Sequence, residues 1–352
     1  MLVLNVLGCD SVDGQPATCP YVADQGAPRG NRTLSIALTP AGGDTDLGPA
    51  FRAGVAVGMQ EPGDINLDWT TFEVQPGVFA DPDGYLRFAN EAFASSASVS
   101  LTLGIIQTTY LSVPSDLAGL AFDNPAVIAR AISAVDYLFA ALPDLNIGTL
   151  AVGNEVDIYL ADDAAGWLAY TTLVEQVRAH VARTHPGTRV GVKATLDGLV
   201  RTHATELASI NSHTDIVIAT FYPLTENFAV LPLGSIRTAF ADLVTVASGK
   251  PIQVAEVGVP SSTVLGSSDS QQAEFVREVF AAWDMYATEI TSVCFVWLND
   301  LSDDLVASLV KAYMIDDPSF AAFLGSLGLR HADGTEKPAF ACLRDEASVR
   351  GW

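Results

Sequence analysis

From residue 33 onward the chain alternates between two kinds of hydrophobic pattern. Short runs rich in β-branched and aliphatic residues read as strands over 34–39, 65–69, 99–106, 147–152, 189–194, 215–220, 251–255 and 292–298. Between them, apolar residues recur at helical spacing over 47–59, 85–93, 125–142, 164–184, 236–247 and 270–287. A weaker helical stretch covers 199–210, and one at 305–324 closes the series. The punctuation agrees: Asn124-Pro125 offers an N-cap followed by proline at the first helical position. His185-Pro186-Gly187 and Ser248-Gly249 stop helices ahead of the fifth and seventh strands. Strand and helix alternate eight times with no break in composition, which predicts one parallel α/β domain. Most strands are apolar throughout, as expected when both faces are covered. Eight units favour a closed barrel over an open doubly wound sheet. No glycine-rich phosphate loop follows the early strands. The expected architecture is therefore α/β, a single (β/α)8 TIM barrel over 33–352. A short N-terminal extension, 1–32, is read as a signal-like segment and linker.

Composition narrows the chemistry. Of 352 residues 49% are hydrophobic, and 41 acidic residues against 18 basic ones give a formal charge of −23. The apolar share is too high for disorder, and the charge argues against nucleic acid or an anionic membrane face, both of which need a Lys/Arg footprint. Neutral ligands such as sugars fit. The four cysteines, Cys9, Cys19, Cys294 and Cys342, include no C-x-x-C pair, and Cys294 reads as a buried thiol. The five histidines form neither H-x-H nor H-E-x-x-H, and no G-x-S-x-G occurs. No metal and no cofactor is expected. No run reaches the 18 or more apolar residues of a membrane span. The opening MLVLNVLGC resembles the tail of a bacterial lipoprotein signal, which would lipidate Cys9 and make residues 10–31 a tether. An extracytoplasmic location, secreted or anchored, is the matching expectation.

In such a barrel the reactive groups stand at the C-terminal ends of strands. The fourth strand ends in Asn154-Glu155 and the seventh in Glu256, placing carboxylates where burial alone would not. The sixth ends in Tyr222, the eighth in Trp297 and the second in Asp68-Trp69. Asn90-Glu91 repeats the first dipeptide inside a helical pattern and reads as a solvated face, so position gives the motif its meaning. Lys193, ending the fifth strand, suits either a polar barrel residue or a substrate contact. Trp69, Tyr110 and Tyr159 are candidate platforms for outer sugar rings.

These landmarks resemble clan A of the retaining glycoside hydrolases. The strings Ala-Val-Gly-Asn-Glu-Val (151–156) and Ala-Glu-Val-Gly-Val-Pro-Ser (255–261) look most like the β-1,3-glucanase and β-1,4-galactanase families. The resemblance covers about residues 33–342 and implies Glu155 as acid/base and Glu256 as nucleophile. It further implies that Asn154 binds the substrate 2-hydroxyl, Tyr222 orients Glu256 and Trp297 faces a sugar ring. Two departures stand out. Many clan families carry Arg at the end of strand two, where this chain has Asp68-Trp69. Several carry His two residues before the strand-six Tyr, where this chain has Thr220. Two carboxyl groups suffice for glycoside cleavage if their pKa values are pushed apart, and an ionised Glu256 would keep a proton on Glu155. The implied activity is retaining cleavage of β-glycosidic bonds in a neutral poly- or oligosaccharide. A barrel that binds glycans without cleaving them, as a surface lipoprotein, is the second reading.

Overall fold

In the computed structural model, which describes residues 16–42, 44 and 46–352, eight parallel strands close on themselves. They are β1 (Thr33–Ile36), β2 (Asp64–Asp68), β3 (Val99–Gln107) and β4 (Ile147–Asn154), then β5 in two segments (Arg189–Gly191 and Lys193–Thr195). β6 (Val217–Phe221), β7 (Ile252–Val257) and β8 (Ile290–Phe295) complete the set. The first segment of β5 bonds β4 and the second bonds β6, so this strand joins the β2-β3-β4 arc to the β6-β7-β8-β1 arc. The remaining seam, between β1 and the residues entering β2, is closed by a parallel Ser35–Glu61 bridge. There Ile36 N donates to Glu61 O (3.3 Å) and Gln60 N donates to Leu34 O (2.9 Å). The barrel predicted from the alternation is present.

Strand parity sets what lies inside. Leu34, Ile36, Ile65, Leu101, Leu103 and Val254 are buried in the main core, in the layer that meets the surrounding helices. Fully burying one such side chain is worth roughly 1.5–3 kcal/mol. Small or polar residues alternate with them: Ser35, Ser100, Thr102, Lys193, Gln253 and Ser292. Two of these meet across the barrel, where Gln253 Nε2 donates to Ser100 Oγ at 2.8 Å. The helices are α1 (Gly48–Ala56), α2 (Tyr85–Phe93), α3 (Pro125–Ala141), α4 (Ala164–Thr184) and α5 (Ala204–Ser212). α6 (Ser235–Ala247), α7 (Asp269–Met285) and α8 (Pro338–Arg350) follow. Asn124 caps α3 as expected, its Oδ1 accepting from Ala126 N at 2.9 Å.

One helix was misplaced by the pattern. Residues 305–324, expected to close the barrel, form two short helices in the loop after β8, Asp303–Tyr313 and Pro318–Leu324. The helix that closes the barrel is α8. Its buried residues are Ala339, Phe340, Ala341, Cys342, Leu343, Glu346, Ala347 and Arg350, so only two of them, Phe340 and Leu343, are large and apolar. Small and paired charged residues hide the apolar stripe that periodicity detects.

The segment before β1, read from sequence as linker, is tied to the barrel over its described part. Cys19 forms a disulfide with Cys342 of α8, and Arg29 N donates to Arg350 O at 2.8 Å. The Arg32 guanidinium lies 4.9 and 5.0 Å from the ring centroids of Trp283 and Trp352 and bonds Asp284. The lipidation expected at Cys9 falls outside the described residues. Cys294 is a buried thiol, as expected. Among the described residues, no helix is long and apolar enough to cross a membrane.

Candidate active site

The C-terminal ends of the strands converge on one cavity of about 480 Å³ that holds Glu155 and Glu256 together with Asn154, Tyr222 and Trp297. Local backbone geometry aims the first glutamate. Gly153 has φ +82°, and a Cβ there would sit 2.4 Å from Tyr170 Oη, so only glycine fits. Glu155 itself has φ +44°, a left-handed conformation costing on the order of 1–3 kcal/mol and common at functional sites. It caps the short helix Val156–Leu160. β6 and β7 slip register between Ala219 and Thr220, which sets Thr220 opposite Glu256.

Both carboxyl oxygens of Glu155 accept a hydrogen bond from a hydroxyl. Thr220 Oγ1 donates to its Oε1 (2.7 Å) and Thr108 Oγ1 donates to its Oε2 (2.9 Å). Thr108 Oγ1 in turn accepts from Asn154 Nδ2 at 3.1 Å. Burial first, and the charge of Glu256 second, push the Glu155 carboxyl up to about 7 against the opposing pull of the two threonines. The Thr220 bond also fixes the pairing of the two glutamates, since the hydroxyl that touches Glu155 belongs to the residue in register with Glu256.

Glu256 is held from both sides. Tyr222 Oη donates to Oε2 at 2.8 Å and Lys193 Nζ donates to Oε1 at 3.3 Å. Lys193 Nζ also donates to Asp64 Oδ2 at 2.7 Å, and Thr102 Oγ1 reaches the same oxygen. Burial alone would drive the Lys193 ammonium toward neutrality, but Asp64 and Glu256 together raise its proton affinity, so it is a cation shared by two carboxylates. Burial, and then the two glutamates, raise the Tyr222 hydroxyl well above its ordinary value and keep it a donor.

Trp69 does not join this group. It is fully buried in the main core, and its Nε1 donates to Glu73 Oε2 at 2.7 Å. The reason is parity: in Asp64-Ile-Asn-Leu-Asp-Trp69 the polar residues alternate with the apolar ones, and Trp69 shares the side of Ile65. Asp64 and Asn66 line the cavity instead. Tyr110 and Tyr159 do not line it; Tyr110 Oη donates to Asp68 Oδ2 at 3.1 Å, and Tyr159 is exposed. Sequence reasoning passed over Asp64, Thr108 and Tyr313, met Thr220 only as a departure from the clan pattern, and left Lys193 undecided. Among the described residues, no cluster of three His, Cys, Asp or Glu side chains is arranged to hold a metal ion.

No family model matches the chain, and no curated protein is similar to it in sequence. Solved structures share its fold. A GH5_18 protein from Streptomyces cattleya, solved in complex with GlcNAc, is 18% identical with a TM-score of 0.70; the match covers 92% of this chain and 80% of that one. A GH5_18 protein from Bifidobacterium longum subsp. infantis is 16% identical, with a TM-score of 0.70 over 90% of this chain and 78% of that one. An exo-beta-1,4-mannosidase, Op5Man5 from Opitutaceae bacterium strain TAV5, is 14% identical with a TM-score of 0.69, covering 94% of this chain and 62% of that one. At these identities the likeness is one of fold: a (β/α)8 barrel shared with glycoside hydrolases.

Proposed function

We propose that this chain hydrolyses β-glycosidic bonds in a neutral saccharide by a retaining, two-step displacement. The observation that carries the reading is the unequal glutamate pair in one cavity. Glu155 holds its proton toward neutral pH, while Glu256 lies against a lysine ammonium and a tyrosine hydroxyl. In the first step Glu256 attacks the anomeric carbon as Glu155 gives its proton to the departing oxygen. A glycosyl ester forms on Glu256 and the alcohol leaves. The negative charge on Glu256 is then gone, Glu155 releases its proton more readily, and it takes one from the water that cleaves the ester. Asn154, whose Oδ1 has no partner among the described residues, lines the cavity beside Glu155 and is the residue to meet a substrate 2-hydroxyl. Trp297 and Tyr222 line the floor where the ring would lie.

Glu256→Gln and Glu155→Gln should each remove most hydrolysis of unactivated glycosides, by at least about a thousandfold, with unchanged circular dichroism. Proton NMR of the first-formed sugar should show the β-anomer. Full turnover in either variant, or a first-formed α-anomer, would contradict the scheme. A location outside the cytoplasm remains part of the proposal, supported by the Cys19–Cys342 disulfide, which persists in oxidising compartments.

A further inference from the structure

The polar groups of the cavity concentrate at its floor, where Glu155, Glu256, Asn154, Lys193 and the Tyr222 hydroxyl meet. The walls are different. Leu224, Phe228, Leu309, Ile315, Leu324 and Ile158 line them, several supplied by the loop after β8 that carries the two short helices. Along the helix Asp303–Tyr313, Val306, Leu309 and Val310 are half-buried against the cluster of Leu301, Phe320, Phe323 and Leu324, and Leu305 is exposed. Ile158, in the cavity wall, is 47% exposed. Contiguous apolar surface beside a catalytic floor marks a place where an apolar group is taken out of water. A sugar ring against these walls would surrender its water hydrogen bonds and find few replacements.

The apolar surface also adjoins the proton donor. Ile158 stands three residues beyond Glu155 in the helix that Glu155 caps. Tyr313 O accepts from Thr109 Oγ1 at 3.4 Å, directly after the Thr108 that bonds Glu155. A group leaving with the proton of Glu155 therefore departs along apolar side chains.

We infer that the leaving group of the natural substrate is an apolar aglycone, aryl or alkyl, rather than a second sugar. The inference rests on the hydrolytic reading above and narrows it. A second depression of about 900 Å³ also borders Glu155 and carries Asp197, Arg201 and Asp242; a disaccharide cleaved faster than an alkyl glycoside would place the leaving group there instead.

The test has two stages. A panel of 4-nitrophenyl β-glycosides first identifies the sugar. With that sugar fixed, kcat/KM is measured for its methyl, butyl and octyl β-glycosides below micelle formation, and for the disaccharide in which glucose departs. Full burial of one methylene is worth up to about fourfold, so octyl should exceed butyl by about tenfold or more and should also exceed the disaccharide. Leu309→Ser and Ile315→Ser should each lower the octyl-to-methyl ratio by about fivefold. A flat chain-length profile, or a disaccharide cleaved faster than the octyl glycoside, overturns the inference and leaves the hydrolytic reading standing. If the folded protein cleaves no aryl glycoside, that reading fails and the inference with it.

Discussion

Thr220→Val isolates one contribution to the acidity of Glu155. The Thr220 hydroxyl donates to Glu155 Oε1 at 2.7 Å and makes no other side-chain hydrogen bond among the described residues. Valine has the same shape, and the site is buried, so packing should survive. A hydrogen bond to an ionised group contributes about 1.5–3 kcal/mol, and one to a neutral group about 0.5–1.5 kcal/mol. The bond thus favours the carboxylate over the carboxylic acid by about 1–1.5 kcal/mol, which is about one pKa unit. Removing it raises the proton affinity of Glu155, moving the carboxyl from about 7 to roughly one unit higher. The acid must be protonated to expel a poor leaving group, so the alkaline limb of kcat/KM against pH reports this group. The profile is measured from pH 5 to 9.5 on an alkyl glycoside. The limb should move to higher pH in Thr220→Val, and relative activity at pH 8 should rise. Thr108→Val is a poorer probe because it also strands Asn154 Nδ2. A limb that stays in place, or moves to lower pH, with an intact fold would refute the assignment of Glu155 as the proton donor.

Lys193 and Glu61 offer two further checks. Lys193→Met leaves Asp64 without its cation, and breaking such a buried pair should cost about 3–5 kcal/mol of stability. The Lys193→Met/Asp64→Asn double variant should recover most of that stability in chemical denaturation while kcat stays at least about a hundredfold down. Recovery of kcat with stability would mean that the pair serves the fold alone. Glu61 is buried at the β1–β2 seam, and burial lifts its carboxyl to about 7, with the Asp64 charge adding to the rise and Ser100 opposing it. The unfolded chain releases this proton near its ordinary value, whereas the folded protein keeps it until about pH 7. Stability is therefore fully present below about pH 4.5 and declines toward pH 7, in total by about 3 kcal/mol. Glu61→Gln should remove that decline and raise Tm at pH 8 but not at pH 4.5; an equal effect at both values would exclude the mechanism.

The barrel was legible because its determinant is local: apolar strands and amphipathic helices in alternation leave few ways to bury both. What escaped was encoded in contacts between distant segments. Cys19 meets Cys342 across nearly the whole chain, and spacing alone assigns no pairing among four cysteines. α8 was passed over because, beside Phe340 and Leu343, its buried face is made of alanines, Cys342 and the Arg350–Glu346 pair. Both glutamates were readable, since a carboxylate ending an apolar strand has few structural reasons to be there. Trp69 was misjudged by counting strand ends instead of faces. The alternation in Asp64-Ile-Asn-Leu-Asp-Trp already put tryptophan with the core and Asp64 with the interior. Lys193 was half readable: a lone lysine at an inward position of a strand needs a buried anion, but nothing local says which.

The two departures from the clan pattern become one arrangement once Lys193 is placed. The resemblance leads one to expect an arginine at the end of β2 and a histidine two residues before Tyr222. This chain instead sets Asp64 on β2, Lys193 on β5 and Thr220 on β6. The ammonium meets two carboxylates, Asp64 and Glu256, so the trio carries one net negative charge instead of none. A further anion at Glu155 would add to that charge in a buried site, where like charges repel strongly. The neutral threonine offsets it only in part, through its hydrogen bond to Glu155 Oε1. Burial and this local surplus of negative charge act in the same direction, and both raise the proton affinity of Glu155.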